Sequence, residues 1–192
     1  MKKILLLDNY DSFTYNLVQI LEELVEEDQK IVVKKNDEIS VEEVSVYDKI
    51  VLSPGPGIPS ESGILIETIK KYAGEKPIFG VCLGLQAIVE AFGGELFNLE
   101  KVHHGVQSKL EIKKDSKIFQ GLENPILIGR YHSWVASKKH FPSELDITGE
   151  DENGIIMSIE NSAKKIYAVQ FHPESIMTPQ GKQMIRNWLS IN

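Results

Sequence analysis

The strongest constraint on this chain is a change of period that repeats through its first half. Short apolar, β-prone runs alternate with segments in which apolar residues return every three or four positions. That alternation is the mark of an α/β fold built on a parallel sheet. Ile4 to Leu7 reads as a buried strand, followed by an amphipathic helix carrying Leu17, Ile20, Leu21, Leu24 and Val25 on one face. Ile31 to Val33 gives a second strand. Ser40 and Glu43 form a capping-box pattern for a short helix, and Ile50 to Leu52 gives a third strand ending in a Pro/Gly cluster. Ile64 to Tyr72 is expected to be helical and Ile78 to Val81 a strand. Leu85, Ile88, Val89 and Phe92 mark a helix that stops at Gly93-Gly94.

The second half carries short strand-like runs without helical period: Leu110 to Ile112, Ile126 to Ile128, Ile155 to Ile159 and Ile166 to Val169. They imply a mixed sheet or an antiparallel edge. Thr178 before Pro179 reads as an N-cap with proline at the first helical position, opening a closing helix faced by Met184, Ile185, Trp188 and Leu189. A length of 192 residues with no repeat, linker or low-complexity segment fits one domain spanning 1–192.

Charge and cysteine usage narrow the partners. A net charge of -7 with scattered lysines offers no cationic stripe, which argues against nucleic acid. A single cysteine permits no internal disulfide, and acidic residues follow too soon after Met1 for a signal peptide, so a cytoplasmic protein is expected. No apolar run approaches the roughly 20 residues that span a bilayer, so no membrane association is expected.

Gly80-Val81-Cys82-Leu83-Gly84 sets that cysteine between two glycines where a strand turns into a helix. A lone cysteine is ordinarily a small buried hydrophobe. Here it occupies the apex of a G-x-nucleophile-x-G elbow, beside a helix N-terminus that favours thiolate. A thiol nucleophile needs a base, and the base needs an orienting group. Phe171-His172-Pro173-Glu174 supplies both, because alternate residues of an extended chain point to one side. His103, His104, His132 and His140 have no acidic residue two positions on, so His172 ranks first. The N–H of Leu83 and a glycine amide from Pro54-Gly55-Pro56-Gly57 are the candidate donors to an oxyanion.

The PGPG loop, GVCLG and FHPE together resemble the class I (triad) glutamine amidotransferase family, over essentially the whole chain. Asp8-Asn9-Tyr10-Asp11-Ser12-Phe13-Thr14-Tyr15-Asn16, Arg130-Tyr131-His132-Ser133 and the ending Phe171-His172-Pro173-Glu174-Ser175-Ile176 are similar to the small glutaminase subunits of anthranilate synthase and aminodeoxychorismate synthase. The resemblance implies a flavodoxin-like α/β domain, its mostly parallel or mixed sheet flanked by helices, with an additional small antiparallel sheet. It implies Cys82, His172 and Glu174 as the triad and Gly57 with Leu83 as the oxyanion hole. Gly55, Pro56, Gly57, Gln86, Ser133 and Trp134 would hold glutamine. Asp8, Asn9, Asp11, Ser12, Phe13 and Thr14 would face a large chorismate-binding synthase subunit. No metal or other cofactor is expected on this chain. Gly57 favours the anthranilate version, since the aminodeoxychorismate version commonly has cysteine there, although some bacterial subunits serve both enzymes. The chain departs from the family at Leu85, where histidine is usual, and at Val106, where lysine is common. A γ-glutamyl hydrolase working without a partner, or a silent protein retaining the fold, are the alternatives.

Overall fold

The structure, a computed structural model, describes residues 1–100 and 102–192. The elements run β1 (Lys2–Asp8), α1 (Thr14–Leu24), β2 (Gln29–Lys35), β3 (Lys49–Leu52), α2 (Leu65–Tyr72), β4 (Ile78–Val81) and α3 (Leu83–Ala91). Then follow β5 (Leu96–Asn98), β6 (Val106–Ile112), β7 (Ile126–Arg130), β8 (Trp134–Ala136), β9 (Asp146–Asp151), β10 (Ile156–Asn161), β11 (Ile166–Val169) and α4 (Gly181–Leu189). One nine-stranded mixed sheet has the order β2-β1-β3-β4-β11-β10-β9-β6-β7, and β5 pairs with β8 in a separate small antiparallel sheet. From β2 to β11 every pairing is parallel; beyond β11 every pairing is antiparallel.

The alternation in β1 shows how the layers form. Ile4 and Leu6 point into the core shared with Leu17 and Leu21 of α1 and Ile185 and Trp188 of α4, whereas Leu5 and Leu7 join Ile69 of α2 and Ile88 of α3 on the other face. The central parallel strands β1, β3, β4 and β11 are thus covered on both sides, as a parallel sheet requires. Leu85 is fully buried in the second of these cores, so the family's usual histidine would place a polar ring in an apolar setting.

Several local expectations shift. The capping box is present, Ser40 N–H donating to Glu43 Oε2 at 2.8 Å and Glu43 N–H to Ser40 Oγ at 3.3 Å, but it introduces only a short 3-10 turn, Glu43–Val46. Thr178 does not cap α4: the helix begins at Gly181, with Gln180 in the cap position. The Thr178 hydroxyl is already engaged, donating to the His172 carbonyl at 2.7 Å and accepting from Gly129 N–H at 2.9 Å. The strands β5, β8 and β9 were not located from their own residues, although β5 and β8 form the small antiparallel sheet that the family resemblance implies.

Candidate active site

Cys82 sits at φ 53° and ψ -100°, between the last residue of β4 and the first of α3. Such a left-handed backbone costs a non-glycine residue on the order of 1–3 kcal/mol and is held only by its surroundings. Two restraints hold it here. The Cys82 N–H donates to Val169 O of β11 at 2.8 Å. The flanking glycines allow an approach that no side chain would permit: a Cβ on Gly80 would lie 2.7 Å from the carbonyl carbon of Gly84, and one on Gly84 would lie 2.7 Å from the oxygen of Leu52. The thiol is thereby presented at the carboxyl ends of β4 and β11, where ligands of parallel sheets bind.

His172 arrives from the opposite side, on the segment that leaves β11. Its N–H donates to Gly129 O of β7 at 3.0 Å, and the Thr178 hydroxyl holds its carbonyl, so the ring is fixed by the antiparallel half of the sheet. Nδ1 lies 2.7 Å from Glu174 Oε1, with both side chains almost wholly enclosed. A carboxylate can only accept, so Nδ1 carries the proton and Nε2 is left for the Cys82 sulfur. Burial pushes the imidazole toward neutrality, but its hydrogen bonds with Cys82 and Glu174 and their negative charge prevail and raise its pKa well above the usual value. Tyr131 and Phe13 set their rings edge-on to the imidazole, with centroids 5.0 and 5.5 Å away.

A cleft of about 260 Å³ opens beside the sulfur, lined by Gly55, Pro56, Gly57, Cys82, Gln86, Tyr131, His132, Ser133 and Trp134. That size suits an amino acid better than a nucleotide. Every glutamine contact implied by the sequence resemblance is in this one wall. Gly55 has no room for a side chain, since a Cβ would meet Asn9 O at 2.6 Å and Leu83 Cδ2 at 2.7 Å, which draws the loop in against the elbow. Among the described residues neither Gly57 N–H nor Leu83 N–H donates to a protein acceptor, as is usual for the first amides of a helix such as Leu83. A larger hollow of about 720 Å³, bordered by Ser116, Phe119 and Glu160, lies toward the start of β11, away from the thiol.

Three residues of the site were not singled out in the sequence as site residues. Tyr131 and His132 line the cleft, and Gln170, fully buried, points its Nε2 at Cys82 Sγ from 3.5 Å. His132 is neutral: burial lowers its pKa to about 3, helped by the Arg130, His103 and His172 charges. Arg130 Nε–H donates to His132 Nε2 at 3.2 Å, which leaves the ring proton on Nδ1. Arg130 itself pairs with Asp151 at 2.6 Å, both side chains buried.

The Asp8 to Thr14 segment, expected to face a large subunit, divides between enclosed and exposed side chains. Asp8, Asn9 and Thr14 are buried. Asp8 Oδ1 accepts from Tyr10 N–H and the Thr14 hydroxyl at 2.9 and 2.8 Å, and Asn9 is bonded to Ser53 and Asn36. These side chains are spent on holding the loop, as is the Asp11 carboxylate on Phe13 N–H at 2.6 Å. Ser12 is exposed, with Tyr10 and Tyr15 beside it. Phe13 is half-buried against Tyr131 and His172.

Among the described residues no group of three or more His, Cys, Asp or Glu converges in a way that could hold a metal, and no helix is long and apolar enough to cross a membrane.

A thiol at a strained elbow, a buried imidazole–carboxylate pair and a small polar cleft thus lie together at one end of the sheet. The glutamine amidotransferase class-I family matches residues 5–191, and the chain belongs to it. Within that family it is an amidotransferase subunit of the anthranilate and aminodeoxychorismate synthase group. It is 49% identical to the aminodeoxychorismate/anthranilate synthase component 2 of Bacillus subtilis, over 97% of this chain and 95% of that one. It is 44% identical to aminodeoxychorismate synthase component 2 of Escherichia coli, over 97% and 98% of the two chains. A solved glutamine amidotransferase from Thermotoga maritima, 16% identical, shares the fold with a TM-score of 0.77 over 98% of this chain and 96% of its own.

Proposed function

We propose that this chain hydrolyses the side-chain amide of L-glutamine with Cys82 as nucleophile and delivers the ammonia to a large chorismate-binding synthase subunit that makes anthranilate. The observation that carries the reading is the imidazole of His172, buried between a carboxylate and the only sulfur nucleophile of the chain. His172 Nε2 takes the thiol proton, and the sulfur attacks the carboxamide carbon. Charge developing on the amide oxygen is met by Gly57 and Leu83 N–H, the kind of preorganised donor that commonly supplies the largest catalytic contribution. His172 returns the proton to nitrogen, ammonia leaves, and a glutamyl thioester remains. Water, deprotonated by His172, then hydrolyses the thioester to glutamate and thiol. Glu174 keeps the ring in one tautomer and stabilises its charged form. Each step is a proton or acyl transfer by groups the chain carries, so the chemistry calls for no cofactor.

Gln86, Ser133 and Trp134 hold the amino-acid end of the substrate. A free thiol fits a reducing cytoplasm. The anthranilate product is supported by Gly57 in the PGPG loop. A subunit shared by two synthases is the second reading, supported by the Bacillus subtilis relative, whose name carries both products. The test pairs the chain with each type of large subunit and supplies chorismate with either glutamine or ammonium. Cys82→Ser abolishes synthesis from glutamine and spares synthesis from ammonium; retention of both refutes the nucleophile. Full turnover by the chain alone would point instead to a γ-glutamyl hydrolase.

A further inference from the structure

A directed chain of hydrogen bonds ends on the nucleophile. Gln86 Nε2 lies 2.9 Å from the Trp134 backbone oxygen and 3.3 Å from Gln170 Oε1, and Gln170 Nε2 lies 3.5 Å from Cys82 Sγ. Side-chain amides can be turned end for end without changing shape, so direction has to come from a group that cannot turn. The Trp134 carbonyl is such a group, because it can only accept. It fixes the nitrogen of Gln86 toward itself; one amide hydrogen goes to Trp134 and the other to Gln170. Gln170 must therefore offer its oxygen to Gln86, which leaves its nitrogen, a donor, against the sulfur. The backbone of Gln170 is held as well, its N–H donating to Met157 O at 2.8 Å. Gln170 is fully enclosed and lies at the end of β11, one residue past the carbonyl that binds Cys82 N–H.

We propose that Gln170 is a catalytic residue: its amide N–H donates to the Cys82 sulfur and stabilises it as thiolate, on attack and again when the thioester is cleaved. This rests on the reading of Cys82 as nucleophile and adds a group to that site. A thiolate accepts such a bond far better than the sulfur of a neutral thiol or thioester. Charge on sulfur is therefore favoured in the states that react, and the bond weakens when sulfur is acylated. His172 supplies proton transfer, while Gln170 supplies a neutral donor that never leaves. The relay also joins the nucleophile to the substrate pocket, since Gln86 and Trp134 line the cleft that receives glutamine.

The experiment compares wild type, Gln170→Leu and Gln170→Glu, each purified with its large subunit. The readouts are glutamine-dependent kcat and KM, and the pH dependence of Cys82 alkylation by iodoacetamide. A lost bond to a charged group corresponds to about a 10- to 100-fold loss in kcat. The pH midpoint of alkylation should rise by about one to two pH units in Gln170→Leu, and KM should move by less than about 3-fold. Should Gln170→Leu fail to assemble, Gln170→Glu keeps the shape while placing a carboxylate against sulfur, and its alkylation midpoint should rise at least as far. An assembled variant of either kind with wild-type kcat and alkylation profile overturns the role of Gln170. Cys82→Ser separates the two layers: loss of glutamine-dependent synthesis there, with normal Gln170 variants, leaves the nucleophile standing and removes only the relay.

Discussion

The buried Arg130–Asp151 pair should respond very differently depending on which partner is removed. Asp151 Oδ2 meets Arg130 Nη1 at 2.6 Å, and Asp151 Oδ1 accepts from the N–H groups of Asn153 and Ile155 at 2.9 and 2.8 Å. Asp151→Ala therefore removes three hydrogen bonds and strands a guanidinium whose remaining partner is the neutral ring of His132, with Nη2 already unbonded. An uncompensated buried charge of this kind costs about 3–5 kcal/mol. Arg130→Met leaves the carboxylate its two backbone donors and fills the space with an apolar chain, for a loss on the order of 1–3 kcal/mol. For a domain of this length each kcal/mol is worth roughly 2–4 °C in Tm. Asp151→Ala should thus fall by roughly 6–20 °C and Arg130→Met by roughly 2–12 °C, read by calorimetry at neutral pH and checked by urea midpoints. The double variant should be less destabilised than Asp151→Ala, because the orphan charge is gone. Arg130→Met proving the more damaging single change, or strict additivity in the double variant, would refute this account of the pair.

His132 titrates near 3 in the fold against an ordinary 6.5, so stability is whole above about pH 6.5 and declines as pH drops from there, by at most about 1.4 kcal/mol per pH unit. His132→Gln should flatten that acid limb between about pH 6.5 and 4 in urea titrations; an unchanged slope contradicts a buried neutral ring. Gly80→Ala and Gly84→Ala should each cost about 3 kcal/mol or more, because their Cβ atoms would lie 2.7 Å from main-chain atoms. Gly93→Ala, with open space around it but φ +86°, should cost only about 1–2 kcal/mol. Urea midpoints of the three rank the two effects, and equal losses would discard the steric reading. Glu174→Gln removes one of the groups that raise His172, so the imidazolium should persist only to a lower pH. Glutamine-dependent kcat should drop about 100-fold or more with the complex intact, and a pH–rate profile that does not move would count against Glu174 as the orienting group.

How much of this was legible follows from where each signal resides. The parallel strands and their helices were readable because burial on both faces leaves long apolar runs and helical periods, as in Ile50 to Leu52 and Leu85 to Phe92. The elbow and the His-Pro-Glu segment were readable because chemistry and chain geometry coincide within a few residues. The pair β5 and β8 was not, since each strand has three residues and no period can be established over that length. Strand β9, Asp146–Asp151, is masked by its charges, and one of them is buried only because Arg130 comes to it from another strand. Gln170 looks like the polar end of an apolar run until Cys82, 88 positions earlier, is brought alongside. The internal bonds of Asp8, Asn9 and Thr14 were not readable, because polar residues in a loop do not reveal which partners they have. Thr178 was misassigned for a similar reason: the cap pattern is local, and its actual partners are not.

The last of the described strands in chain order, β11, takes the middle of the sheet, with β4 on one side and β10 on the other. Its Val169 carbonyl receives the Cys82 amide, Gln170 follows at once, and His172 and Glu174 come just beyond. Until that strand slots in, the thiol has neither its bond to Val169 nor the amide, imidazole and carboxylate of Gln170, His172 and Glu174. On the mechanism proposed above, a chain in which that strand has not docked cannot release ammonia, so activity should be gained in the same event that completes the sheet.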